Sequence, residues 1–188
     1  MEMSGEYKIP ASREEVWAAL NDPDKLKEAI PGCESITKVS DTEMEAVATT
    51  KIGPVKAKFN GTVNLEDLDP PNGYTIRGEG NGGAAGFAKG LAKVKLSEDG
   101  DGTLLSYDVD AQVGGKLAQI GQRLVDSAAK KMSDDFFSAF SGMMGGVSTA
   151  PEPEPAKGLE GIDGIPAGVW AAGLIVLTIV LLAIFGTG

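Results

Sequence analysis

Histidine is absent from this chain of 188 residues, and cysteine occurs once, as Cys33. The first absence removes His-dependent triads, imidazole acid–base chemistry and the commonest metal ligand together. The second excludes an internal disulfide and fits a reducing compartment. A zinc site built from carboxylates and one thiol would be unusual, so neither catalytic nor metal-binding residues are expected. Basic residues are also scarce, 17 Lys and Arg against 27 Asp and Glu, for a net charge of −10. That balance argues against nucleic acid as a partner, because such binding needs a basic stripe. It argues equally against a purely electrostatic hold on anionic lipid.

Charge of either sign is missing from the last 25 residues, 164–188. Within them Ile165 to Phe185 forms 21 mostly apolar residues, of which 12 are Leu, Ile, Val or Phe. At about 1.5 Å per residue this is roughly 31 Å of helix, close to the ~30 Å hydrocarbon thickness of a bilayer. A core helix of that length normally carries a polar stripe, and here only Thr178 interrupts the run. Residues 165–185 are therefore expected to form a transmembrane anchor, with Leu174, Leu177, Leu181 and Phe185 toward lipid and Trp170 near the interface. The position of the segment favours a single-pass C-terminal anchor in the cell membrane, with the remainder of the chain in the cytoplasm. Lys157 is the one basic residue nearby, so the positive-inside rule gives no orientation.

Between anchor and body, residues 147–164 contain Ala150-Pro-Glu-Pro-Glu-Pro155 followed by Gly158, Gly161 and Gly164. Alternating Pro and Glu favours polyproline II at ~3.1 Å per residue, a tether reaching roughly 50 Å if fully extended. The remaining residues, 1–146, are long enough for one core.

Their periodicities read as α+β. A strand over 2–9 stops at Pro10, and Ser12 with Glu15 makes a capping box for a helix over 13–20. Asp22-Pro23 opens a second short helix ending before Pro31-Gly32. Alternating segments follow at about 33–40, 43–53, 55–69, 73–80, 86–97 and 103–113, separated by Gly, Pro, Asn and Asp turns. From Lys116 to about Met144 apolar residues recur at helical spacing: Leu117, Ile120, Leu124, Ala128, Met132, Phe136, Phe140 and Met143. The economical arrangement is a curved antiparallel sheet wrapped around this last helix.

Several motifs carry a family resemblance. Ile9-Pro10-Ala11-Ser12-x-x-Glu15-Val16-Trp17, Asn21-Asp22-Pro23 and Ile30-Pro31-Gly32-Cys33 resemble the G-subunit family of carbon monoxide dehydrogenase, which belongs to the START-like (SRPBCC) helix-grip superfamily. Lys51-Ile52-Gly53-Pro54-Val55, Phe59-x-Gly61 and the Gly-rich stretch 78–90 extend it over roughly 1–145. The resemblance implies a non-catalytic accessory of a molybdenum-containing CO dehydrogenase or a related hydroxylase. It also implies a link to the membrane and to the respiratory quinone pool, with a menaquinone- or ubiquinone-type lipid as bound ligand and no covalent cofactor. No catalytic residues carry over.

Read without that resemblance, the residues also point to something apolar. The less charged strand faces give Ala46, Ala48, Thr50, Ala57, Phe59, Gly61, Val63, Ala88, Ala92, Val94, Tyr107, Val109 and Ala111. So many small residues on a concave face leave volume that Leu and Phe would fill. With Leu124, Ala128, Met132, Phe136, Phe140 and Met143 of the helix, they are expected to line a cavity for a lipid-like molecule. The alternative is a helix seated close to the sheet, filling the space with its Phe and Met side chains. Phe136, Phe137, Phe140, Met143 and Met144 span too broad an arc for one inward stripe, so some are expected at the surface or at an entrance. Gly82, Gly83 and Gly86, followed by Phe87, suit a movable flap, or else an ordinary hairpin turn.

Three functions are compatible with these residues: a membrane-tethered quinone carrier, a docking adaptor with a filled core, and a START-like enzyme on an apolar substrate. The last would have to use Tyr107, Asp108 or Asp110. Cys33 reads as a half-buried packing thiol and Trp17 as a core anchor.

Overall fold

The computed structural model describes residues 2–145. The tether and the expected anchor, with Trp170, Leu174, Leu177, Leu181 and Phe185, lie outside them. Among the described residues no helix is long and apolar enough to cross a membrane.

Strand β1 (Glu2–Ile9) is followed by helices α1 (Arg13–Leu20) and α2 (Pro23–Ala29). Strands β2 (Cys33–Lys38), β3 (Glu43–Ile52), β4 (Val55–Asp69), β5 (Gly73–Asn81), β6 (Phe87–Asp99) and β7 (Gly102–Gly114) come next. Helices α3 (Lys116–Gln119) and α4 (Gln122–Met143) close the described chain. The seven strands form one antiparallel sheet in the order β1-β7-β6-β5-β4-β3-β2, so the first strand returns to pair with the last.

Local chemistry sets the helix starts. The Ser12 amide donates to Glu15 Oε2 at 3.0 Å, and the Glu15 amide donates to Ser12 Oγ at 3.4 Å, the reciprocal capping box read from the sequence. Asp22 Oδ1 accepts from the Asp24 amide at 2.9 Å, and Pro23 occupies the first turn of α2, where no N–H is needed.

The last helix departs from the expected continuous rod over 116–144. Gly121, at φ +93°, leaves the helical region and divides it into α3 and α4. Crossing that break shifts the inward stripe by one residue, to Val125, Ala129, Met132, Phe136 and Phe140. Leu124, expected inside, is 48% exposed instead, and Ala128 is half-buried at the flank.

The C-terminal half of α4 is the best-packed part of the core. Phe136, Phe137 and Phe140 are all fully buried, which corrects the expectation that this cluster must spill onto the surface. The arc is covered on two sides, by the sheet and by the edge strand. Phe137 stacks on Tyr7 of β1 at 3.9 Å between ring centroids and meets Phe136 edge-on at 5.0 Å. The Tyr7 hydroxyl donates to Asp134 Oδ1 at 2.9 Å, and Lys130 pairs with Asp134 at 3.1 Å. Burial, foremost, and the neighbouring Tyr107 and Asp134 push the Tyr7 phenol far above its ordinary range, so it stays a neutral donor. Trp17 meets Tyr74 edge-on at 5.2 Å and is partly buried against the core.

Candidate functional site

Antiparallel pairing brings the β3–β4 turn, the β5–β6 turn and the end of β7 to one end of the sheet. The α3–α4 break joins them there. A Cβ placed on Gly53 would lie 3.7 Å from Leu124 Cδ1 and 3.9 Å from Ile120 Cδ1, so the β3–β4 turn rests against the break. Between the end of the sheet and these short helices lies a cleft of ≈ 450 Å³ lined by Phe87, Ala111, Gln112, Val113, Ala118, Gln122 and Val125. That volume is in the range of small-molecule sites, roughly 300–1,000 Å³. Five of the seven liners are apolar. The other two, Gln112 and Gln122, each offer an amide N–H₂ donor and a carbonyl acceptor. A ring bearing carbonyl oxygens matches that combination of apolar wall and amide donors.

The Gly-rich segment at the cleft is a pinned turn rather than a loose flap. Gly83–Ala85 forms one turn of 3-10 helix, the Gly83 amide donates to Asn81 Oδ1 at 2.7 Å, and the Gly82 amide donates to the Gly86 carbonyl at 2.9 Å. A Cβ on Gly86 would overlap the Gly114 carbonyl, and one on Gly115 would overlap the backbone of Gly86. Two backbones thus meet where no side chain fits, which explains the glycines on both strands. Phe87 follows the turn, packs over Gly114 and remains 48% exposed at the lip of the cleft.

The expected cavity residues divide into three groups. Ala48, Phe59, Ala88, Ala92, Val94, Tyr107, Val109, Met132, Phe136 and Phe140 are buried in the core. Gly61 is buried too, while Thr50, Ala57 and Met143 are half-buried. Ala46 and Val63 border a small hollow with Leu20, Leu26, Ile36, Met44, Leu65, Tyr74 and Ile76, of only ≈ 20 Å³. Ala111 alone of the expected cavity residues lines the large cleft. The extended chamber anticipated from the small residues is therefore narrowed: around Tyr7, Tyr107 and Phe136 to Phe140 the space is occupied by aromatic rings. Counting small residues on the strands overlooked that three phenylalanines project into the same layer.

The sequence reading missed Gln112, Val113, Ala118, Gln122 and Val125. Gln122 and Val125 follow from the glycine at 121, whose power to break and rephase the helix is legible once it is given weight. A further concavity of ≈ 640 Å³ lies on the outer face of the sheet, lined by Thr62, Asn64, Arg77, Glu79, Lys89, Leu91 and Asp110 among others. Its walls are polar and of mixed charge, with Arg77 already bridged to Glu66 at 2.6 Å. It lacks the apolar wall of the cleft.

Tyr107 points inward, whereas Asp108 and Asp110 are exposed on the opposite side of β7, so these three do not converge. Among the described residues no group of three or more His, Cys, Asp or Glu is placed to hold a metal ion. Cys33 is half-buried, its Sγ donates weakly to the Ser35 carbonyl at 3.6 Å, and burial raises the thiol above its ordinary value, as for a packing residue.

A sheet closed around a C-terminal helix, with two short helices between its first and second strands, defines a START-like helix-grip domain. Solved structures agree. A conserved protein from Geobacillus kaustophilus superposes with a TM-score of 0.72 at 32% identity, covering 77% of this chain and 95% of that one. The Zhui aromatase/cyclase from a Streptomyces species (TM-score 0.55, 11% identity, 77% and 93% covered) shares the fold. So does Ara h 8.0201 (TM-score 0.55, 14% identity, 77% and 97% covered). No curated protein matches the chain. The family model of the carbon monoxide dehydrogenase G-subunit, CoxG, matches residues 5–145, and the chain belongs to that family.

Proposed function

We propose that this protein is a membrane-tethered carrier that holds a lipoquinone-like ligand in the cleft between the sheet end and α3–α4. In this role it couples a molybdenum-containing CO dehydrogenase, or a related hydroxylase, to the membrane respiratory chain. The observation that carries the reading is the cleft itself: ≈ 450 Å³, walled by Phe87, Ala111, Val113, Ala118 and Val125, with Gln112 and Gln122 at its edge. Apolar walls of this kind take an isoprenoid chain or a fused ring, and two amides supply hydrogen bonds to carbonyl oxygens. Membership in the CoxG family supports the enzyme partner, and the uncharged run 165–185 supports the membrane. The quinone rests on the resemblance and on the fit of donors to carbonyls; the fold hosts other activities elsewhere, including an aromatase/cyclase.

A purely structural adaptor for the same enzyme is the second reading, and the aromatic filling of the far half of the core favours it. Lipid extraction of the full chain purified from its own cells separates the two. The carrier requires a quinone at close to one per chain. Extracts holding only phospholipid, or nothing, while the enzyme still co-purifies, leave the adaptor.

A further inference from the structure

We infer that the rim of the cleft docks onto an anionic lipid surface, so that this end of the domain faces the bilayer. The overall charge of −10 conceals a strong asymmetry between the two ends of the sheet. At the cleft end the segments 51–57, 81–88 and 113–125 carry Lys51, Lys56, Lys116 and Arg123 and no acidic residue. All four are exposed, and no described carboxylate forms an ion pair with any of them. At the opposite end the β2–β3, β4–β5 and β6–β7 turns gather Asp41, Asp67, Asp69, Glu98, Asp99 and Asp101. A domain polarised in this way is turned by the field of a negative surface, basic end first.

Two details at the rim point beyond mere solvation. Lys51 and Lys56 stand directly opposite each other in the β3–β4 register, an arrangement that costs stability without a counter-charge. Beside them Leu124 and Phe87, each 48% exposed, offer apolar tips among the cations, the combination that seats a surface in the headgroup region. The acidic groups nearest in sequence, Glu79, Asp110 and Asp126, stand behind the rim on β5, β7 and the first turns of α4.

The tether permits this pose. Helix α4 starts at the rim and its 22 residues run about 33 Å away from it at 1.5 Å per residue. Residues 147–164, taken as extended chain at ~3.1 Å each, reach roughly 50 Å, enough to bring the rim back to the bilayer. The docking rests on charge and geometry, not on the identity of the ligand.

Flotation of domain 2–145 with vesicles tests it. The Geobacillus protein is matched over 95% of its length, so the fold stands without the tether. Vesicles of phosphatidylcholine mixed with phosphatidylglycerol should bind the domain, high salt should release it, and phosphatidylcholine alone should not bind it. Each basic residue near such a surface contributes about fivefold in affinity, so K51E/K56E should weaken binding by at least about tenfold, and R123E by less. Melting temperature and any retained ligand mass should not change. Equal binding to both vesicle types, or full binding by the variants, overturns the inference. So does a rim whose variants lose capture of the CO dehydrogenase yet still bind the vesicles. A domain empty of ligand that still docks through these lysines upholds the docking and defeats the carrier. A loaded domain that ignores the vesicles does the reverse.

Discussion

The two halves of α4 face the same sheet and do opposite things. From Met132 onward the helix presents Phe136, Phe137 and Phe140 to Tyr7 and Tyr107, and the layer between helix and sheet is filled. Before Ala129 it presents Val125 and Gln122, follows a break at Gly121, and leaves a cleft. Large rings fix the helix at one end, and small residues with glycine turns keep the other end open. A carrier needs both: an anchored lever of structure, and a site whose emptiness does not unfold it.

That contrast is tested hardest at Phe137. Truncation to Ala removes a fully buried ring stacked between Tyr7 and Phe136, and should cost about 3–5 kcal/mol in urea unfolding. Equal loss from a substitution in the cleft wall would erase the distinction between the halves. Next comes Gly115→Ala, where a Cβ meets the Gly86 backbone at a positive φ of 72°. Strain of this kind costs about 1–3 kcal/mol, and displacement of the β5–β6 turn should loosen ligand retention as well, read by native mass spectrometry.

Removing the Tyr7 hydroxyl as Tyr7→Phe keeps the stacking and deletes one donor to Asp134, an expected loss of about 0.5–1.5 kcal/mol with no change in ligand. The smallest effect is expected at Asp126. Burial raises its carboxyl above the ordinary aspartate value, and its Oδ1 lacks a hydrogen-bond partner. A carboxyl that binds its proton more tightly folded than unfolded makes stability fall as pH rises from about 3.8, the unfolded value. Asp126→Asn should therefore raise the melting temperature slightly at neutral pH, with the gain vanishing below that value. A gain that grows toward acid pH would contradict this assignment.

The strands, their order of appearance and both short helices were legible because each is written twice, as periodicity and as a terminator. Ser12 with Glu15 and Asp22 with Pro23 mark their helices by chemistry that operates locally, and the β-turns are marked by Gly, Pro and Asp. The family was legible from Pro31-Gly32-Cys33 and its companions for the same local reason. The interior was legible only as composition. Counting Ala and Gly on strand faces showed that room existed, while which side chains fill it depends on helix rotation. One residue of phase lost at Gly121 exchanged Leu124 for Val125 and moved the site from mid-sheet to the sheet end. Gln112 and Gln122 gave no periodic signal, since a glutamine at a cleft edge looks like any surface glutamine. The charge asymmetry was hidden for another reason: a total of −10 is blind to which end of a sheet a turn belongs to, and only the topology reveals it.

Whether an apolar guest occupies the cleft beside Ala118 decides between a carrier and a mere tether. Native mass spectrometry of domain 2–145, recovered from quinone-containing cells, compares the wild type with Ala118→Trp, whose indole fills the cleft while leaving the aromatic half of the core untouched. One additional lipoquinone mass per wild-type chain and a bare polypeptide for the variant are expected, at matching melting temperatures. A bare wild type, or a ligand that persists beside the tryptophan, would contradict the carrier.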